Sequence, residues 1–234
     1  MLDFSRVRAI TLDLDDTLWP VWPTIHRAEA ALQDWLAQQA PETARHLSRP
    51  ETRHAVRQQV NQAHAHRAHD LSFLRRESIR LALSQAGDDT ALAEPAFEVF
   101  FAERQRVNLF DDALPFLEAA SKRFPVVALT NGNADVHRVG IGAHFHAGVS
   151  AREAGVAKPD PRIFHAAAER AGVAPEQVLH IGDDAALDVL AALGVGMQTV
   201  WVNREGQDWA HAPLQPHLTV TDLRGLTEAL IALT

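Results

Sequence analysis

The sequence predicts an α/β fold: a doubly wound parallel sheet carrying an inserted all-α domain. Three observations lead to it. From Asn108 onward, short apolar runs alternate with helical segments, the rhythm of right-handed βαβ units. From Trp19 to about Val107 the pattern is helical throughout, and Gly87 is the only glycine before Gly132. Between Pro20 and Val107 there are eleven arginines, eleven acids and no lysine, so the remainder carries the whole net charge of −8. The expected division is a core of residues 1–18 and 108–234, interrupted by a helical cap of residues 19–107.

Each element follows from local pattern. "VRAITLDLDD" reads as a short buried strand, with Val7, Ile10, Leu12 and Leu14 apolar and acids at its C-terminal end. The insertion contains "IHRAEAALQDWLAQQ", "ETRHAVRQQVNQAHAH" and "LSFLRRESIRLALSQAG", the last stopped by Gly87. Loop signals near Pro41, Pro50 and 87–90 separate about four helices. After it come the helix "DDALPFLEAASKRF" and the strands "PVVALTNGN" and "AGVSARE". Next is the helix "KPDPRIFHAAAERAG", with Asp160 as N-cap and Pro161 at the first helical position. "QVLHIGDD" is a strand running into the helix "AALDVLAALG", and "MQTVWVN" and "HLTVTDL" supply two more strands.

Composition narrows the function. The chain has 234 residues, 47% hydrophobic, enough to bury a real core. No apolar run approaches the ~20 residues that span a bilayer, so no membrane partner is expected. The N-terminal segment turns acidic where a signal peptide is most hydrophobic, so the expected location is cytoplasmic. The absence of cysteine excludes disulfides, thiol catalysis and cysteine zinc sites. The acidic balance argues against a nucleic-acid partner. Thirteen histidines raise the question of zinc, yet His64, His66 and His69 have no evident further ligand. Lysine is scarce: twenty arginines accompany only Lys122 and Lys158.

Open parallel sheets bind ligands beyond the carboxyl ends of their strands. There the chain places Asp13, Asp15 and Asp16, then Thr130 and Asn131, then Asp183 and Asp184 with Asp188 one turn further on. Lys158 enters a helix, kept from helical geometry by Pro159. So many acids around one mouth call for a hard cation with oxygen ligands, and Mg²⁺ fits best beside a small phosphorylated substrate. Trp19, Trp22 and Trp35 either stack on an aromatic substrate or anchor the cap's own core.

"DLDDT", the threonine of "ALTN", "KPDPRIF" and "IGDDAALD" resemble the four motifs of the haloacid dehalogenase-like hydrolases, in order and over the whole chain. "LTNGNA" and "VLHIGDDAALDV" are similar to the subgroup of bacterial phosphatases acting on flavin mononucleotide and riboflavin-pathway phosphates. The resemblance implies a Rossmann-like core and an aspartyl-phosphate intermediate. It makes Asp13 the nucleophile and Asp15 the proton donor, then base. Thr130 and Lys158 bind the transferring phosphoryl group; Asn131, from its place at a strand end, and Trp19, from its place after the acidic loop, are the further substrate-contact candidates. It assigns Mg²⁺ to Asp13, Asp183 and the Asp15 carbonyl, with Asp184 or Asp188 completing the outer shell or orienting Lys158. The family's dehalogenases lack an acid at the position of Asp15, because a halide leaves without a proton. Asp16 stands where the family usually has glycine, and is expected to bond local backbone and point away. Two alternatives stay open: a phosphomutase of the same family, and a phospho-accepting signalling domain.

Overall fold

The computed structural model describes residues 2–233, and its chain divides into two compact units. The first comprises Met1–Pro20 and Asn108–Thr234, the second Val21–Val107. Trp19 and Pro20 thus belong with the first unit, two residues past the boundary expected from sequence.

In the first unit β1 (Ala9–Leu12) is wholly buried. The second unit holds five α-helices among the described residues, where about four were expected: α1 (Val21–Gln39), α2 (Pro41–Leu47), α3 (Pro50–Ala63), α4 (Leu71–Ala86) and α5 (Ala93–Arg104). Pro41 and Pro50, expected as loop signals, instead occupy the first positions of α2 and α3. Proline lacks only an N–H that has no helical partner there. Gly87 closes α4 at φ 81°, a left-handed geometry that costs glycine little. Leu32, Leu36, Val56, Ile79, Leu83, Phe97 and Phe100 form this unit's own core, and Trp35 packs against it. Arg75 pairs with Glu29 and Arg76 with Glu94 inside the same unit.

The chain continues with α6 (Ala113–Ser121), β2 (Val126–Thr130), α7 (Val136–Val139), β3 (Ala147–Ser150), α8 (Ala151–Ala154) and α9 (Pro161–Arg170). Asp160 caps α9 by accepting from the Arg162 N–H, with Pro161 at the first position as expected. Then come β4 (Val178–Gly182), a wide π-type turn over Ala185–Leu190, α10 (Ala191–Gly194), β5 (Gln198–Val202), β6 (Leu218–Val220) and α11 (Arg224–Ala232). The six strands form one parallel sheet in the order β3-β2-β1-β4-β5-β6, the doubly wound class that the alternation predicts. β1, β2, β4 and β5 are buried along their whole length, as strands covered on both faces must be. Val127, Leu129, Val149 and Val178 pack against Ile163, Phe164, Ala167 and Ala168 of α9.

Candidate active site

The winding leaves β1 through β2 to β3 and returns to β1's other side at β4. The carboxyl ends of β1 and β4 therefore flank the reversal point, where such sheets take ligands. Asp13 follows β1 directly, and its N–H donates to the Ile181 carbonyl at 2.9 Å, carrying the β1–β4 ladder one residue further. The residue is 6% exposed, with Oδ1 2.5 Å from Lys158 Nζ. Lys158 Nζ also lies 2.5 Å from Asp188 Oδ1, so one buried ammonium bridges two buried carboxylates.

Asn131 holds Lys158 in place rather than facing outward. Its Nδ2 donates to the Lys158 carbonyl at 2.9 Å, and its Oδ1 accepts the Lys158 N–H at 2.7 Å. Both ends of the amide brace the lysine's backbone, with one Nδ2 hydrogen left to donate. Thr130, buried at the end of β2, accepts the Gly132 N–H at 2.9 Å, and its hydroxyl proton can still be donated.

The acids after β4 separate into three roles. Asp183 Oδ1 accepts from the Thr17 hydroxyl at 2.9 Å, and its main-chain carbonyl accepts the Trp201 indole N–H at 2.7 Å. Asp184 Oδ1 accepts the N–H groups of Ala186 and Leu187. It caps the following turn and, unlike Asp188, is not among the acids whose oxygens converge with those of Asp13 and Asp183. Asp188 reaches back because the turn is π-type, with Val189 N–H donating to the Asp184 carbonyl five residues before it. Its Oδ2 accepts the Asp184 N–H at 3.0 Å, while Oδ1 meets both Lys158 and His180 Nε2, the latter at 3.2 Å. His180 is fully buried, and burial holds it below the usual histidine range, so the ring is neutral. An ionised Asp188 only accepts, so Nε2 carries the hydrogen and Nδ1 accepts from the Thr11 hydroxyl at 2.9 Å.

A Cβ on Gly182 would lie 2.4 Å from the Asp188 carboxyl. Gly182→Ala is therefore expected to displace Asp188, release Lys158 and lower turnover by about 10²-fold, a loss typical of misplacing a reacting group by an ångström. Steady-state rates at saturating substrate check this.

Asp15 and Trp19 form a turn that sequence pattern alone did not resolve. Trp19 Nε1 donates to Asp15 Oδ1 at 2.8 Å, and the two residues form an isolated backbone bridge. Trp19 is 0% exposed, so it does not stack on substrate as one expectation had it. Between them Asp16 sits at φ 58°, the left-handed region where glycine is at ease and aspartate is tolerated. Its charge contributes to raising the Asp183 carboxyl, so it is closer to the acid cluster than expected.

Among the described residues, Asp13, Asp183 and Asp188 bring carboxylate oxygens within 4.8 Å of one another. Their negative charge exceeds the one ammonium among them. Burial, reinforced by Asp188 and Asp183, holds the Asp13 carboxyl well above the carboxylate range despite Lys158. Burial and the Asp188 charge push Asp183 up to about 7. Asp188, though desolvated, is held below the usual range chiefly by Lys158, and the two acids hold Lys158 above the usual lysine range against its own desolvation. Oxygen donors with uncompensated charge fit a divalent hard cation.

The same shifts set a pH dependence for metal-free protein. Asp13 and Asp183 keep protons that an unfolded carboxyl gives up near 3.8, so the folded state binds more protons and loses stability as pH rises toward 7. His180 and His217, both lowered by burial, act oppositely, but only below about pH 6.5, where an unfolded histidine charges. From pH 6.5 to 8 the melting temperature without metal is expected to fall. Mg²⁺ should raise it more at pH 8 than at pH 6.5. Thermal scans with and without Mg²⁺ check this, and equal shifts at both pH values would contradict it.

Comparison with known proteins agrees with the geometry. A family model of haloacid dehalogenase-like hydrolases matches residues 7–196. The 5-amino-6-(5-phospho-D-ribitylamino)uracil phosphatase YigB of Escherichia coli (strain K12) is 33% identical over 233 residues, 97% of each chain. The phosphoserine phosphatase of Thermus thermophilus is 39% identical over 164 residues, covering 67% of this chain and 66% of that one. A crystal structure described as a 2-haloacid dehalogenase from Pseudomonas syringae pv. Tomato superposes with a TM-score of 0.90 at 38% identity, over 96% of this chain and 98% of that one. With matching residues spread along nearly the whole sequence, and acids, threonine and lysine gathered at the sheet's reversal point, the chain belongs to the haloacid dehalogenase-like hydrolase family.

Proposed function

We propose that the protein is a Mg²⁺-dependent phosphomonoester hydrolase of small organic phosphates, working through a phosphorylated Asp13. The observation that carries this reading is the pair Asp13 and Asp15. The first is buried against Lys158 at 2.5 Å, and the second lies two residues on, in a separate hydrogen-bonded setting. A nucleophile must be ionised, and a cation held by Asp13 and Asp183 would offset the burial that raises the Asp13 carboxyl. Asp13 attacks phosphorus while Asp15 protonates the departing ester oxygen, and Asp15 then draws a proton from the water that cleaves the acyl phosphate. Lys158 and the Thr130 hydroxyl neutralise and orient the transferring phosphoryl oxygens. Asp13 and Asp183 are the side chains that would hold Mg²⁺, with Asp188 orienting Lys158. The metal supplies charge neutralisation for the phosphoryl group.

The YigB relative, similar along its whole length and named for a phosphoribitylaminouracil, supports a riboflavin-pathway phosphate as substrate, and flavin mononucleotide is the further candidate from the motif resemblance. A second reading, dehalogenation, draws on the name of the Pseudomonas syringae neighbour. Asp15 speaks against it, since halide departure needs no proton. A screen of flavin mononucleotide, nucleotides, sugar phosphates and 2-chloropropionate, with and without Mg²⁺, decides between them. Metal-dependent phosphate release supports the proposal. Chloride release alone, or an isomerised sugar phosphate with little free phosphate, overturns it.

A further inference from the structure

Trp19 is a wholly buried side chain in the first unit, and its one polar atom is directed at Asp15. An indole nitrogen can donate but never accept. Its bond to Asp15 Oδ1 at 2.8 Å therefore requires that oxygen to remain an acceptor whether the carboxyl is charged or neutral. The main chain of the turn that carries the ring is held as well. Asp16 N–H donates to the Trp19 carbonyl at 2.7 Å, and Leu18 N–H donates to the Leu14 carbonyl at 2.8 Å. Leu14 and Leu18 are themselves fully buried and anchor the turn on either side.

We propose that Trp19 is a positioning residue for proton transfer: its indole N–H, bonded to Oδ1, fixes the Asp15 carboxyl in the orientation from which it exchanges a proton with the reacting oxygens. The inference rests on the phosphatase reading, which makes Asp15 the acid and then the base. In the first half-reaction an Asp13 oxygen bonds to phosphorus, the ester P–O bond breaks with its electron pair going to the ester oxygen, and the Asp15 proton passes to that oxygen. In the second, a water oxygen attacks phosphorus, the bond from phosphorus to Asp13 breaks, and the water's proton returns to the Asp15 carboxylate. The indole N–H stays on Oδ1 throughout and exchanges nothing.

Rate against leaving group tests it, because a positioned acid matters most when the leaving oxygen is basic. The full-length protein with Mg²⁺ would be assayed on an alkyl phosphate and on p-nitrophenyl phosphate. For Trp19→Phe, kcat on the alkyl ester is expected to drop about tenfold, part of the 10²–10⁴ that acid catalysis contributes. On p-nitrophenyl phosphate the change should stay within about twofold, with the Mg²⁺ requirement unaltered. Replacing Trp19 by benzothienylalanine keeps the bicyclic volume, removes only the N–H, and should give the same pattern even if the smaller phenyl ring unsettles the fold. Asp15→Asn serves as reference and should be selective in the same sense, but more strongly. Equal losses on both esters in the benzothienylalanine protein, with Asp15→Asn still selective, would reduce Trp19 to a packing residue and overturn the inference alone. An unselective Asp15→Asn would remove the acid role itself, and the inference with it.

Discussion

Asp13→Asn is expected to abolish phosphate release, by at least about 10⁴-fold, while leaving the fold intact. Asparagine matches the shape of aspartate but has no charged oxygen to attack phosphorus, and its amide cannot form the acyl phosphate. The structure explains why the chain should tolerate the change. Lys158 keeps Asp188 as a partner at 2.5 Å, so no ammonium is left buried without a counter-charge. Removing Asp13 also relieves a site in which Asp183 and Asp188 already raise its proton affinity. Metal-free Asp13→Asn should therefore melt no lower than the parent at pH 8, although it cannot turn over. Phosphate release and a thermal scan on one preparation check both halves.

Lys158→Met is expected to do the reverse, damaging fold and function together. The lysine is 5% exposed and, among the described residues, is the one ammonium bonded to these converging acids. Its loss leaves Asp13 and Asp188 buried and facing each other, and breaking such a pair from one side costs about 3–5 kcal/mol. Turnover should fall about 10²–10³-fold, the usual cost of losing one donor to a developing oxyanion. Lys158→Arg is not expected to rescue activity, because a planar fork does not fit where a compact ammonium touches two carboxylates at 2.5 Å each. Added Mg²⁺ should restore part of the stability and little of the rate. Denaturant unfolding with and without metal, beside kcat, measures the separation.

Much of this site can be read in the sequence because parallel-sheet topology puts strand ends together regardless of side-chain detail. "TLDLDD" and "LHIGDD" each follow an apolar run, so their acids had to meet near the reversal point. Lys158 stood out as one of two lysines beside a proline. What the pattern leaves undetermined is direction. Asn131, Asp184 and Trp19 lie where expected along the chain, yet each points its polar atoms at protein: the Lys158 backbone, the next turn and Asp15. Hydrogen-bond partners far apart in sequence give no periodic signal. That is why Thr17, which donates to Asp183, and His180, which meets Asp188, were not among the expected site residues. Thr17 had one available clue, lying one helical turn beyond Asp13. His180 looked like an ordinary strand interior. In the helical unit, Pro41 and Pro50 mark breaks in either reading, and only backbone geometry shows them starting helices instead of ending them.

The central claim is that phosphate passes through Asp13. It is tested most directly by acid-quenching the enzyme during turnover of a phosphate-labelled substrate with Mg²⁺. The account predicts label on the peptide containing Asp13, released by hydroxylamine as an acyl phosphate must be, and absent from Asp13→Asn. Steady phosphate release with no label on the protein, or label that survives in Asp13→Asn, would contradict it.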